Sequence, residues 1–353
     1  MEHKICTTCV MDTSIPEVVL DDKGICNFCH EAKANVNKHR LEQQELPWII
    51  DEIKKRGRGR EYDVLLGLSG GVDSSFCLHV LKTHNIRVFA FSVDNGWNTP
   101  ESEQNIMNLV EGTQTPFYRY TIDLESFKRL QRAFIQAGVK NIEIPTDHVL
   151  MAATYEMARK NGIKTIISGG NWQTESIMPP SFGYNASDLT HIKAIAKQFG
   201  ATTKGLPTIS LLQYLWYRNV KKIKTINLLD YCEYNREKAI KTLEREYVYK
   251  KYGLKHRERK FTKWFQEGYL PIKFGLDKRR PHLSSMIHSG QITREQAFKE
   301  LEQPLSQDSL SDEISIAWRV FKKHEHSDYS TNEKWVRRWQ KFFNILKRYG
   351  YSR

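Results

Sequence analysis

The stretch that most constrains this chain is Val64-Leu65-Leu66-Gly67-Leu68-Ser69-Gly70-Gly71-Val72-Asp73-Ser74-Ser75, an apolar strand running into a paired-glycine turn and then an apolar-periodic helix. Paired glycines let the backbone turn tightly and bare its N–H groups. The helix start adds the positive end of its dipole, and Ser69 and Ser74 add hydroxyl donors. Together these make an anion cradle. A phosphate loop of the G-x-x-x-x-G-K-[ST] type aims a lysine at the β/γ-phosphates. This one lacks it and instead has Asp73, a carboxylate placed to hold Mg²⁺. The geometry suits ATP cleavage in which pyrophosphate leaves and adenylate is transferred.

From Tyr62 onward, short apolar runs alternate with helical periodicity. Strands are expected at 63–68, 87–93, 116–122 and 164–168, and helices at 46–55, 74–82, 102–110, 124–137 and 147–161. Strands separated by helices imply an α/β fold with a doubly wound parallel sheet, which binds ligands beyond the carboxyl ends of its strands. A second glycine turn, Ser168-Gly169-Gly170-Asn171-Trp172-Gln173-Thr174-Glu175, follows the strand Thr165-Ile166-Ile167 and falls at that edge. Glu175 there is a candidate to support Mg²⁺ or to orient the nucleophile. Beyond Phe199 the chain reads as helical, basic and aromatic, its rings (Trp216, Tyr217, Trp264, Phe265, Trp318, Trp335 and Trp339) serving helix packing.

Cys6-Thr7-Thr8-Cys9 and Cys26-Asn27-Phe28-Cys29 give two C-x-x-C pairs 16 residues apart. Such spacing brings four thiolates within tetrahedral reach of one Zn²⁺, and a closed four-sulfur shell is structural. His3 and His30 are read as surface residues, and Cys77 and Cys232 as small core residues without a catalytic role. The expected organisation is a zinc-binding module and linker over 1–45, an ATP domain over 46–200 and a helical basic region over 201–353.

Lys and Arg number 54 against 41 Asp and Glu, a net charge of +13, so the partners are anions. Between Arg236 and Arg280, 15 Lys or Arg stand against six acids. Within this segment Lys278, Arg279 and Arg280 lie between Gly275 and Pro281 and are candidates to bind phosphate. No stretch approaches the roughly 20 apolar residues of a membrane span, and Met1-Glu2-His3-Lys4 lacks a signal-peptide pattern. A cytoplasmic location is expected, with no membrane association.

The glycine loop resembles that of the PP-loop ATP pyrophosphatase superfamily, with its adenine nucleotide α-hydrolase-like fold. The superfamily includes asparagine, NAD and GMP synthetases and tRNA-modifying ligases. The cysteine pairs, the SGGVDSS loop, the GGNWQTE turn and the FGLDKRRPHLSSMIHSGQITREQA run together resemble the bacterial N-acetyl sugar amidotransferase family of surface-polysaccharide and O-antigen biosynthesis, over nearly the whole chain. That resemblance implies conversion of an acetamido group on a nucleotide-linked or sialic-acid-like sugar into an acetamidino group, using ATP and ammonia. It implies ATP at Ser69, Gly70, Gly71, Val72, Asp73, Ser74, Val93, Asp94, Gly169 and Gly170. Asp94 alone reads equally well as a turn former. The resemblance assigns catalysis to Asp73, Glu175, Lys278 and Arg279. It assigns the sugar nucleotide or pyrophosphate to Lys278, Arg279, Arg280 and His256, and structural Zn²⁺ to Cys6, Cys9, Cys26 and Cys29. It also implies a separate glutaminase with a cyclase-like barrel subunit as ammonia source. Glu2 stands where an amino-terminal-nucleophile glutaminase needs Cys, and neither Cys77 nor Cys232 sits on a glycine-flanked turn. The rival reading is a tRNA-modifying enzyme of the same superfamily. It would explain the charge and the zinc, but it calls for reactive cysteines near ATP. Nucleic acid is therefore not the expected partner.

Overall fold

The computed structural model describes residues 3–182, 185–251 and 258–305. The cysteine module runs into helix α1 (Asn27–Gln43), whose first turn carries Cys29, and α2 (Leu46–Gly57) follows. The alternating core then runs β1 (Val64–Gly67), α3 (Val72–Thr83), β2 (Val88–Asp94), α4 (Pro100–Thr113), β3 (Phe117–Thr121), α5 (Leu124–Ala137), α6 (Ile144–Lys160) and β4 (Thr165–Ser168). It continues with α7 (Trp172–Glu175), α8 (Leu189–Gln198), α9 (Leu211–Asn219), β5 (Lys224–Asn227) and α10 (Arg236–Tyr247). The basic carboxy-terminal part supplies α11 (Lys260–Trp264), α12 (Leu270–Phe274), α13 (Arg279–His288) and α14 (Arg294–Glu302).

The five strands form one parallel sheet in the order β3-β2-β1-β4-β5. Val64 pairs with Val88 and Leu65 with Ile166, so β1 is flanked on both sides. Val64, Leu65 and Leu66 are fully buried, as expected of a strand covered by helices on both faces. Residues on those faces form two large apolar clusters, one around Phe91, Phe127 and Phe134 and one around Leu66, Leu78 and Ile106. Each fully buried phenylalanine contributes about 2–3 kcal/mol relative to exposure.

The helix expected over Leu124–Ala137 has those bounds because its ends are chemically marked. The Asp123 side chain accepts from Ser126 N at its start, and Gly138 takes φ +66° just past its end. One element departs from expectation. Beyond Phe199, in the stretch read as helical, β5 pairs with β4 from Thr165↔Lys224 to Ser168↔Asn227 and completes the sheet. Its residues are mostly exposed apart from Ile226, so it carries no apolar run to announce a strand. Trp264 is buried as expected of a packing residue, whereas Trp216 is exposed under the Lys221 ammonium, 4.7 Å from its ring centroid. Trp318, Trp335, Trp339 and His256 lie outside the described residues. Among the described residues, no helix is long and apolar enough to cross a membrane.

Candidate active site at the switch of the sheet

Strand order reverses between β1 and β4, and a doubly wound sheet opens a crevice at such a reversal. Both glycine turns meet there. Ser69–Ser74 leaves β1, and the turn around Gly169 leaves β4. A Cβ on Gly169 would stand 3.1 Å from Ser74 N and 3.4 Å from Asp73 Cβ. The close approach of the two loops therefore depends on that missing side chain. Gly70 is more tightly fixed, with φ +74° and Ser102 O only 2.2 Å from where a Cβ would be.

Hydrogen bonds hold the cradle in shape. Ser69 Oγ accepts from Gly71 N (3.2 Å), and Ser74 Oγ donates to Gly71 O (3.3 Å). The Gly70 carbonyl accepts from the buried Tyr249 hydroxyl (2.9 Å) and from the Asn105 amide (3.5 Å), which also binds Lys250 O (2.9 Å). Asp73, in the first turn of α3, is half-buried, and the Tyr234 hydroxyl donates to its Oδ1. Burial and the Asp73 charge push the Tyr234 phenol well up, so it stays protonated and keeps that donor. A half-buried hard oxygen donor fixed by a phenol fits Mg²⁺. Val93 is buried on β2, so only its backbone can face a ligand. Asp94 Oδ1 accepts from Gly96 N (3.0 Å), the turn-forming role.

The three cations after Gly275 do not act as one cluster. Lys278 is half-buried. Burial lowers its pKa, against the pull of Asp147, Glu143 and Glu175, which brings Glu175 of the second turn and Lys278 into one charged group. Arg279 is clamped by Asp277 (2.7 Å) and donates to the carbonyls of Glu300 (3.0 Å) and Gln303 (2.8 Å), capping α14. Arg280 pairs with buried Asp12 (2.9 Å) and donates to Val10 O (2.7 Å). The expectation that Arg279 and Arg280 bind phosphate gives way to two structural clamps, because each guanidinium is already bound by acids and carbonyls.

Sequence reasoning missed Tyr234, Tyr249, Glu143 and Asp147. Glu143 precedes α6 and accepts from the Thr262 hydroxyl (2.7 Å). Burial, then Asp147, pushes its carboxyl up. Asp147 is also raised by its surroundings, though water still reaches its side chain. No local pattern could reveal these residues, since each gains its role from distant partners.

At the other end of α13 lies the cysteine module. The Sγ atoms of Cys6, Cys9, Cys26 and Cys29 are buried and all lie within 4.8 Å of one another. Cys26–Cys29, Cys6–Cys29 and Cys9–Cys26 are 3.4, 3.6 and 3.7 Å apart. Bonds of about 2.3 Å to Zn²⁺ place sulfurs about 3.8 Å apart at tetrahedral angles, so the residues fit the ion. Backbone N–H groups of Thr8, Met11 and Cys26 donate to the sulfurs at 3.2–3.4 Å, and His288 Nε2 lies 3.2 Å from Cys29 Sγ. His30, exposed, pairs with Asp21 at 2.9 Å. Cys77 and Cys232 are buried in the core.

Residues 258–344 match the family described as LPS biosynthesis protein WbpG-like, C-terminal domain, a span that takes in α11 to α14. An uncharacterized protein of Methanocaldococcus jannaschii is 24% identical over 169 residues, 46% of this chain and 58% of the relative. The tRNA(Ile)-lysidine synthase of Chlamydia pneumoniae is 26% identical over 160 residues, 44% of each chain. The chain thus spans about half the length of the curated relatives it matches. Among solved structures, the NMN synthetase of Francisella tularensis superposes with a TM-score of 0.32 at 15% identity, covering 62% of this chain and 98% of the other. The NH3-dependent NAD synthetase of Campylobacter jejuni superposes with 0.31 at 17% identity, covering 60% and 93%.

Proposed function

We propose that this chain is an ATP-dependent amidotransferase acting on an N-acetyl sugar of surface-polysaccharide biosynthesis. The observation that carries the reading is the packing of the Ser69–Ser74 cradle against Gly169 at the sheet reversal; Glu175, at the end of the same second turn, is electrostatically coupled to Lys278. The match of residues 258–344 to the WbpG-like family supports the polysaccharide context.

In this reading the acetamido oxygen attacks the α-phosphorus of ATP, the bond to the β-phosphate oxygen breaks, and pyrophosphate leaves. Ammonia then adds to the imidate carbon and AMP leaves, giving the amidine. The exposed N–H groups of the cradle and its two serine hydroxyls hold the departing charge, while Lys278 balances charge near Glu175. Fixed donors of this kind contribute several kcal/mol each to a barrier. Mg²⁺ bound at Asp73 would supply further charge neutralisation on the phosphates. The chain's own thiols are poor nucleophiles: burial pushes Cys77 well up and Cys232 up to about 12, and Cys77 Sγ donates to Ser168 O (3.8 Å). This supports ammonia arriving from a separate glutaminase with its cyclase-like barrel, and it counts against thiolation chemistry.

The match to tRNA(Ile)-lysidine synthase favours a second reading, adenylation of a tRNA base. Pyrophosphate release with ammonium present, measured with nucleotide-linked N-acetyl sugars and with total tRNA, separates the two. Release with sugar alone is expected, and release with tRNA alone would reverse the assignment.

A further inference from the structure

Helix α13 meets the cysteine module and the second glycine turn at once, and its residues sort by face. Ser284 and His288, four apart and so on one stripe of the helix, turn to the module: Ser284 Oγ accepts from Val10 N (3.4 Å), and His288 Nε2 lies 3.2 Å from Cys29 Sγ. Ser285 and Ser289, each one residue on, turn to the glycine turn. Ser285 Oγ accepts from Ile177 N (3.0 Å), and Ser289 Oγ donates to Gln173 O (2.7 Å). Ser284 and Ser285 are fully buried, so neither can exchange its protein partner for water.

Just past the helix, Gly290 takes φ +74°, and Gln291 beyond it reaches the segment after β5. Its Oε1 accepts from Arg236 N (3.0 Å), and its Nε2 donates to Tyr234 O (3.4 Å). Tyr234 is the residue whose hydroxyl holds Asp73. Gln291 N in turn donates to Met286 O (2.9 Å), which ties this contact back to the helix. One helix and its cap thus touch the sulfur shell, the turn whose Gly169 packs on Ser74, and the support of Asp73.

The sulfur shell supplies two states. Sulfurs 3.4–3.7 Å apart repel one another as thiolates, and a divalent cation among them reverses that balance. Loss of the cation spreads the shell, and Cys29 passes the motion to His288 by direct contact. Packed helices shift as bodies, so a displacement of His288 is also one of Ser289 and Gln291, within three residues of it.

We propose that Zn²⁺ at the four cysteines and nucleotide at the glycine turns are positively linked through α13, with Ser289 and Gln291 as positioning residues of the nucleotide site. Both ligands favour the same placement of the helix, so each raises the other's affinity by the same factor. The proposal rests on the reading of the glycine turns as an ATP site and is independent of the acceptor. The zinc affinity of the full chain, titrated against a zinc-selective chromophoric chelator with and without saturating α,β-methylene-ATP and Mg²⁺, tests it without turnover. The analogue is expected to raise zinc affinity about fivefold to tenfold, the lower end of typical couplings between sites. In Ser289→Ala and Gln291→Ala that factor should fall below about twofold as the route is cut. Zinc affinity without the analogue, and the thiolate absorption of the cobalt-substituted module, should stay as in wild type and show that both variants fold. Binding of the analogue itself is read by calorimetry on the zinc-loaded chain. Bound analogue with unchanged zinc affinity overturns the proposal and leaves the ATP site standing, whereas no bound analogue overturns both. Coupling undiminished in both variants also overturns it, since linkage through folding of the whole chain would not depend on two side chains.

Discussion

Asp73 sits where a charge can reach a ligand and still have a fixed direction, half-buried at the start of α3 and bound by the Tyr234 hydroxyl. Asp73→Ala should abolish pyrophosphate release and cost about 1–3 kcal/mol of stability, less than a large core truncation, because it leaves the buried Tyr234 hydroxyl without its acceptor. A melting shift as large as that of a core truncation would make the residue structural. Tyr234→Phe keeps the ring and removes the donor, so kcat should fall by about 10- to 100-fold, the usual effect of losing a group that orients a metal-binding side chain. Glu143 gives a pH signature. Its carboxyl is pushed up to about 7 in the fold against an ordinary 4.5. Between those values the folded chain keeps a proton that the unfolded chain releases, so stability falls as pH rises through the window and levels off above it. Glu143→Gln can still accept from Thr262 and removes the titration. It should gain on wild type by on the order of 2 kcal/mol between about pH 5 and pH 8 in denaturant unfolding. A difference between the two that stays flat with pH would contradict the assignment.

Helix α13 is the element that ties the parts together. Lys278 stands at its start, Arg280 pairs with Asp12, Ser284 Oγ accepts from Val10 N (3.4 Å), and His288 reaches Cys29. Arg294 of α14 adds bonds to Cys6 O (2.7 Å) and Cys9 O (3.0 Å). The cysteine module thus braces the helix that presents Lys278. Arg280→Ala leaves Asp12 buried without its cation and should cost about 1–3 kcal/mol, the low side of breaking a buried pair because the arginine remains partly solvated. Its loss should also lower kcat more than it changes the KM for ATP. Stability equal to wild type would show that the module docks by other contacts. The sequence-level reading fares unevenly at this scale. Helices with marked ends, such as α5, and strands buried on both faces, such as β1, declare themselves locally. Strand β5 does not, since Lys224-Thr225-Ile226-Asn227 becomes a strand only by pairing with β4. The position of the glycine loop between β1 and α3 and the convergence of the four cysteines were legible from spacing alone. Tyr234 and Tyr249 were not, lying 161 and 179 residues from their partners in the loop. The destination of Arg279 and Arg280 was hidden for the same reason: a run of cations does not say whether carbonyls of the same chain will bind it first.

For the whole molecule, the sheet reversal brings the two glycine turns and a cleft beside Gly170 to one edge, while the cysteine module braces that edge from outside through α13. Purified chain should hold one Zn²⁺, and a chelator should lower its melting temperature as the brace loosens, since metal binding at such a site is coupled to folding. Metal analysis finding no zinc in protein prepared without chelator would remove the brace from the account. The central claim is that adenylate goes to a sugar amide oxygen and ammonia replaces it. Incubation with ATP, Mg²⁺, a nucleotide-linked N-acetylhexosamine and ammonium carrying heavy nitrogen, followed by mass spectrometry of the sugar, measures this directly. The account predicts AMP and heavy-nitrogen amidine in equal amounts, both lost in Asp73→Ala. AMP formed while the sugar keeps its amide oxygen and gains no heavy nitrogen would contradict it.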